Sequence, residues 1–123
     1  MPKIPSQCIG IIGSRRRDSD KDYVLLANTF LHVYNKGDKI VSGGCPKGGD
    51  RFAEIIARNK GLTITIHHAD WNGPDGKRAG FVRNTKIATD CDILIALVAE
   101  DRLGGTEDSV KKALALGKEV ILL

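Results

Sequence analysis

Ile93-Leu94-Ile95-Ala96-Leu97-Val98 is a run of six apolar residues with no polar position on either side of its pleat. A strand with one wet face alternates in polarity, whereas a strand buried on both faces does not. Such a strand belongs in the middle of a parallel sheet covered by helices. The segments on either side fit that position. Lys77 to Thr89 reads as a helix before it, and Thr106 to Leu116 as a helix after it that buries Val110, Ala113 and Leu114. Gly117 is a natural stop for the latter, and Val120 to Leu123 reads as one more strand.

The same alternation extends back to the start. Cys8 to Ile12 is the first strand. Ser19 or Asp20 can cap a helix running to about Lys36, with Tyr23, Val24, Ala27, Phe30, Leu31 and Tyr34 as its predicted buried face and Gly37 at its end. Lys39-Ile40-Val41 is the second strand. Asp50 is the expected cap of a helix that carries Phe52, Ile55 and Ile56 and stops at Gly61, and Leu62 to Ile66 is the third strand. Five strands separated by helices predict one α/β domain over residues 1–123. Its sheet is expected to be doubly wound, parallel and five-stranded, in the order 3-2-1-4-5, with helices on both faces.

The bulk composition agrees with a folded domain. The chain has 123 residues, 41% of them hydrophobic and 28% charged, which is ordinary globular usage. No apolar run approaches the roughly 20 residues that span a bilayer, so no membrane association is expected. The opening MPKIPSQ lacks the apolar core of an export signal. Three widely spaced cysteines, Cys8, Cys45 and Cys91, form no CxxC pattern and point to reduced thiols in a cytoplasmic protein. Cys8 and Cys91 read as buried and structural; Cys45 sits in a glycine-rich loop. His67 and His68 are adjacent and have no companion ligands at metal spacing, so no metal site is expected. The net charge of +4 favours anionic partners without specifying any.

The turns at the two ends of the predicted sheet differ. Helix-to-strand turns are minimal: Lys36-Gly37-Asp38, Lys60-Gly61 and Gly117-Lys118. Strand-to-helix turns are long and unusual: GSRRRDS (13–19), SGGCPKGGD (42–50), HHADWNGPDGK (67–77) and AEDRLGGT (99–106). Ligands of open α/β sheets bind outside the carboxyl ends of the strands, which is the loaded edge. Gly43, Gly44, Gly48 and Gly49 would bare backbone amides there, and Asp50 would begin a helix whose N-terminus adds positive potential. Gly104-Gly105-Thr106 repeats the device with a hydroxyl added. One of Arg15, Arg16 and Arg17 is expected to reach the site. Arg83, flanked by Ala79 and Ile87, is expected to lie against the protein, and Trp71 reads either as a plug over the core or as a flat lid on a base.

Taken in order, GSR (13–15), SGGCPKGGDRFAE (42–54), ADW (69–71), GKRAGFVRN (76–84) and GGT (104–106) resemble the SLOG superfamily, and within it the small YspA-like branch. The superfamily includes LOG-type cytokinin-activating enzymes and DprA-type DNA-processing proteins. The resemblance implies a Rossmann-like sheet and a site for a nucleotide or nucleotide-derived ligand. With the loaded edge and its glycine pairs, the residues expected at that ligand are Gly13, Ser14, Arg15, Ser42, Gly43, Gly44, Lys47, Gly48, Gly49, Asp50, Trp71, Arg83, Asn84, Gly104, Gly105 and Thr106. It also implies homo-oligomers, since related domains pair through helices. LOG-type enzymes cleave the N-glycosidic bond of a nucleoside monophosphate with an arginine and with a glutamate in PGGxGTxxE. Arg83 and Asn84 match the arginine motif. In the second motif Leu103 replaces the proline, one residue is missing and Ser109 stands at the glutamate position, leaving Glu107 as the nearest alternative.

The leading expectation is therefore a nucleotide-binding sensor or carrier domain that requires no cofactor. A phosphoribohydrolase using Arg83 and Glu107 is the alternative. A DprA-like nucleic-acid module is less favoured, because 5% aromatic content provides few stacking platforms. Gly44→Val or Gly105→Val is expected to abolish ligand binding with the fold intact.

Overall fold

Strands and helices alternate strictly along the chain. In order they are β1 (Cys8–Gly13), α1 (Asp20–Val33), β2 (Lys39–Ser42), α2 (Gly49–Lys60), β3 (Ile64–Ile66), α3 (Ala79–Asp90), β4 (Ile93–Leu97), α4 (Gly105–Ala115) and β5 (Glu119–Leu122). A 3₁₀ turn, Gly76–Arg78, leads into α3. The structure is a computed structural model that describes residues 6–123; most of the opening segment read for an export signal lies outside the described residues. All strand pairings are parallel and the order is β3-β2-β1-β4-β5. Ile9 of β1 pairs with Ile40 on one side and Ile93 on the other, so β1 is the centre from which the two halves wind.

Alternate residues of the central strands feed two cores. Ile9, Ile11, Ile93, Ile95 and Leu97 pack with Leu26 and Phe30 of α1 and with Phe52 and Ile56 of α2. Cys8, Ile12, Leu94 and Ala96 pack with Ile87 and Ala88 of α3 and with Val110 and Ala113 of α4. The apolar run at 93–97 is buried throughout, as a strand covered on both faces requires. Cys8 and Cys91 are buried free thiols, and burial pushes the Cys8 thiol up to about 11. No helix among the described residues is long and apolar enough to cross a membrane.

Several local expectations are corrected. The buried phase of α1 is Tyr23, Leu26, Ala27, Phe30 and Val33; the helix ends there, and its C-cap Tyr34 also packs against this core, as expected. Val24 and Leu31 face solvent at 53% and 54% exposure. Apolar residues occupy Tyr23 through Ala27 without a break, so spacing alone did not choose the phase. Leu114 is likewise exposed, turned away from the sheet that Val110 and Ala113 meet. Asp50 does not cap α2: the N-cap is Gly48, and Asp50 lies one residue inside the helix with its carboxylate turned back toward β2.

Candidate functional site

The carboxyl ends of β1 and β4 meet where the Ser14 amide donates to the Leu97 carbonyl at 2.9 Å. Above this junction, on the α3–α4 side of the sheet, lies an open cavity of about 430 Å³. Ile12, Ile87 and Leu103 supply its apolar surface. The turn after β1 contributes Gly13, Ser14, Arg15 and Arg16. From α3 come Arg83 and Asn84, and from the start of α4 come Gly104, Gly105, Thr106 and Ser109. Cys45 and Asp50 complete the wall.

Asp50 is the only carboxylate in that wall, and it is 6% exposed. One oxygen lies within hydrogen-bond distance of Ser42 Oγ, at 3.1 Å, and the other accepts from the Cys45 amide at 3.1 Å. Burial pushes its pKa above the ordinary carboxylate range, against the pull of these donors and of Arg83 nearby. Its structural role is to gather the β2–α2 loop. That loop in turn aims Arg83, whose Nη1 donates to the Gly43 carbonyl at 2.7 Å while Nε donates to Asn84 Oδ1 at 2.9 Å. Nη2 of Arg83 has no protein partner among the described residues. Asn84, itself buried, donates to the Gly105 carbonyl at 3.3 Å and to Asp108 at 3.1 Å. Arg83 and Asn84 thus join the β2–α2 loop to the first turn of α4.

The two helix N-termini at this edge are not equivalent. At α2 the Gly48 amide donates to Asp18 Oδ1 at 2.7 Å, and Arg51 holds the same oxygen at 2.9 Å. The Gly48 amide bond, then the Arg51 guanidinium, hold the Asp18 carboxyl below its ordinary pKa. The protein's own anion already sits there. At α4, Gly104 is the N-cap with φ of 117°, a conformation that favours glycine, and no side chain caps the helix. Gly104, Gly105 and Thr106 line the cavity, which puts the positive end of this helix at its wall.

The expected glycine devices separate accordingly. A Cβ on Gly49 would overlap the Ile12 carbonyl, and one on Gly48 the Ser14 carbonyl, so this pair is a close contact of α2 with β1. A Cβ on Gly43 would meet Arg83 Nη1 and Asp50 at 2.8 Å. Gly44 has φ of 76° and lies against the His68 ring, so Gly44→Val would strain the fold, contrary to the expectation of an intact one. Of the glycines expected at the ligand, Gly104 and Gly105 alone have open space where a side chain would be.

Of the residues expected to contact a ligand, Gly13, Ser14, Arg15, Asp50, Arg83, Asn84, Gly104, Gly105 and Thr106 line one cavity. Ser42 and Gly43 stand behind it, bonded to Asp50 and Arg83. Gly44, Lys47, Gly48 and Gly49 do not line it. Trp71 is 57% exposed and rests on Gly80 at the start of α3, away from both core and cavity. Glu107 is held outside the wall by Arg102, at 2.6 and 3.0 Å. Among the three arginines, Arg15 and Arg16 line the cavity. Arg17 instead donates to the Val98 and Leu123 carbonyls at 2.8 and 2.9 Å and pairs with Asp22. Arg16, Cys45, Ser109 and the apolar lining were absent from the expected contacts. The arginine triplet had included Arg16 as a candidate, and the altered second motif had named Leu103 and Ser109; for Ile12 the available signal is strand alternation, which puts it on the α3–α4 face. Among the described residues no group of three His, Cys, Asp or Glu side chains is arranged to hold a metal ion.

No protein-family model matches the chain, and no curated protein matches it significantly. Among solved structures it is similar to the X-ray structure of TM1055, a structural genomics target. The TM-score is 0.63 at 18% identity, over 94% of this chain and 72% of that one. At that identity the likeness concerns architecture alone, and with the observed strand order it makes this a Rossmann-like α/β fold.

Proposed function

We propose that the protein binds a nucleotide or nucleotide-derived ligand, holding its phosphate at the mouth of the cavity, and acts as a sensor or carrier. One observation carries this reading. Arg15, the free edge of Arg83 and the uncapped amides of α4 converge on a space whose only wall carboxylate is buried and hydrogen-bonded. Anions are favoured where guanidinium donors and a helix N-terminus meet. The apolar surface of Ile12, Ile87 and Leu103 suits a sugar or base beside the phosphate. The resemblance of the glycine and arginine motifs to the YspA-like branch of the SLOG superfamily supports the same ligand class.

Glycosidic cleavage of the LOG type needs a carboxylate at the ribose. Glu107 is engaged by Arg102, and both oxygens of Asp50 are engaged by the loop. This favours binding over cleavage. Calorimetry with nucleoside 5′-monophosphates, paired with an assay for free base, tests the reading. Binding of the monophosphates with no base released is expected. Base release at ordinary enzymatic rates that is lost in Glu107→Ala would replace it with the hydrolase reading.

A further inference from the structure

Arg16 lines the cavity, yet its guanidinium is turned to a carboxylate of the protein. Nη1 and Nη2 donate to the two oxygens of Asp101 at 2.8 and 2.7 Å, a bidentate fork, and Nη2 also reaches the Leu103 carbonyl at 3.1 Å. Asp101 in turn accepts from the Leu103 amide at 3.0 Å. The three residues close a ring that holds Leu103 over the cavity. The Arg16 side chain is 58% exposed and the Asp101 side chain 46%, so solvent competes for both partners. A phosphate matches the Arg fork in the same two-point geometry as a carboxylate, and carries more charge.

From this arrangement we infer that Asp101 is a specificity-determining residue of the same cavity: it occupies Arg16 until a phosphate dianion displaces it. This rests on the nucleotide reading above. Arg16 is then a ligand contact held in reserve. A dianionic phosphate monoester can take the fork from a single carboxylate, whereas a neutral nucleoside has nothing to offer it. The ring around Leu103 opens in the exchange, while Gly104, with open space about it, lets the loop adjust without disturbing α4. The Arg16 bond holds the Asp101 pKa down at about 2, so the competitor is ionised at every pH at which a phosphate ester is a dianion.

The test is calorimetric titration of the full chain with adenosine 5′-monophosphate, and with adenosine as the neutral control. Asp101→Asn keeps an oxygen for the Leu103 amide and removes the competing charge. It should tighten monophosphate binding about two- to fivefold, the range to which an exposed ion pair converts. Adenosine affinity should not change. Arg16→Gln should weaken the monophosphate about tenfold, and Asp101→Asn should give no gain on that background. A residue that merely shaped the loop would act with the opposite sign, Asp101→Asn loosening Leu103 and weakening binding. Unchanged or weaker monophosphate binding in a folded Asp101→Asn protein overturns the inference and leaves the nucleotide reading standing. Absence of monophosphate binding to both the unaltered protein and Asp101→Asn overturns both.

Discussion

Gly49 and Gly105 are each the first residue of a helix at the same edge of the sheet, and their substitutions should behave in opposite ways. Gly49→Ala forces a methyl into the Ile12 carbonyl, where backbone meets backbone and nothing can give cheaply. A loss of about 3 kcal/mol in chemical denaturation is expected, at the top of the range for overpacking. Gly105→Val meets open space, so its stability should stay within about 1 kcal/mol while monophosphate affinity falls at least about tenfold. Glycine spelling alone could not separate these positions, because a tight backbone contact and an open anion cradle ask for the same residue. Asp50 gives a second prediction. Its folded pKa lies above the unfolded 3.8, so the native state holds that proton more tightly. Stability from this group is therefore lost as pH rises through the folded value. Asp50→Asn can keep an oxygen toward the Cys45 amide and offer an amide to Ser42 Oγ, whose hydroxyl already donates to Ile11 at 2.6 Å. The stability of Asp50→Asn relative to the unaltered protein should rise as pH increases above about 4. A difference that is flat with pH would mean that Asp50 is not perturbed by burial.

At the scale of elements, α3 matters for what it joins more than for what it covers. Arg83 and Asn84 are consecutive, yet one bonds to the β2–α2 loop and the other to the first turn of α4. Asn84→Ala should cost about 1–3 kcal/mol, since it takes the acceptor from the half-buried Arg83 Nε and removes the bonds that the buried Asn84 amide donates to the Gly105 carbonyl and Asp108. It should also weaken monophosphate binding, although Asn84 needs no direct contact with phosphate. Normal affinity in a folded Asn84→Ala protein would show that the two loops hold their places independently. The order and type of the elements were legible because each pattern had one consistent reading, most plainly the unbroken apolar run of β4. The faces of α1 and α4 were less so. Val24, Leu31 and Leu114 are as apolar as their buried neighbours, and only the position of the sheet decides which side is inside. The link from Asn84 to Gly105 joins residues 21 apart, and no local pattern announces it.

For the whole molecule, the strand order puts β1 between β2 and β4, and the crossovers on its two sides run on opposite faces of the sheet. A crevice at the carboxyl end of β1 follows from that topology. The alternation in the sequence was enough to place the loaded edge there, together with Arg83 and the Gly104–Thr106 loop. It could not assign the glycines between them, nor say which member of Arg15-Arg16-Arg17 turns inward, because those outcomes depend on long-range partners such as Leu123 for Arg17. The central proposal is that a phosphate-bearing nucleotide occupies this crevice. Amide chemical shifts of the ¹⁵N-labelled protein, followed while adenosine 5′-monophosphate is added, test it residue by residue. The predicted result is saturable change at Ser14, Arg15, Asn84, Gly105 and Thr106, with the helix-to-strand turns at Gly37, Gly61 and Gly117 unmoved. Saturable change confined to those turns, or no change at all at millimolar nucleotide, would contradict it.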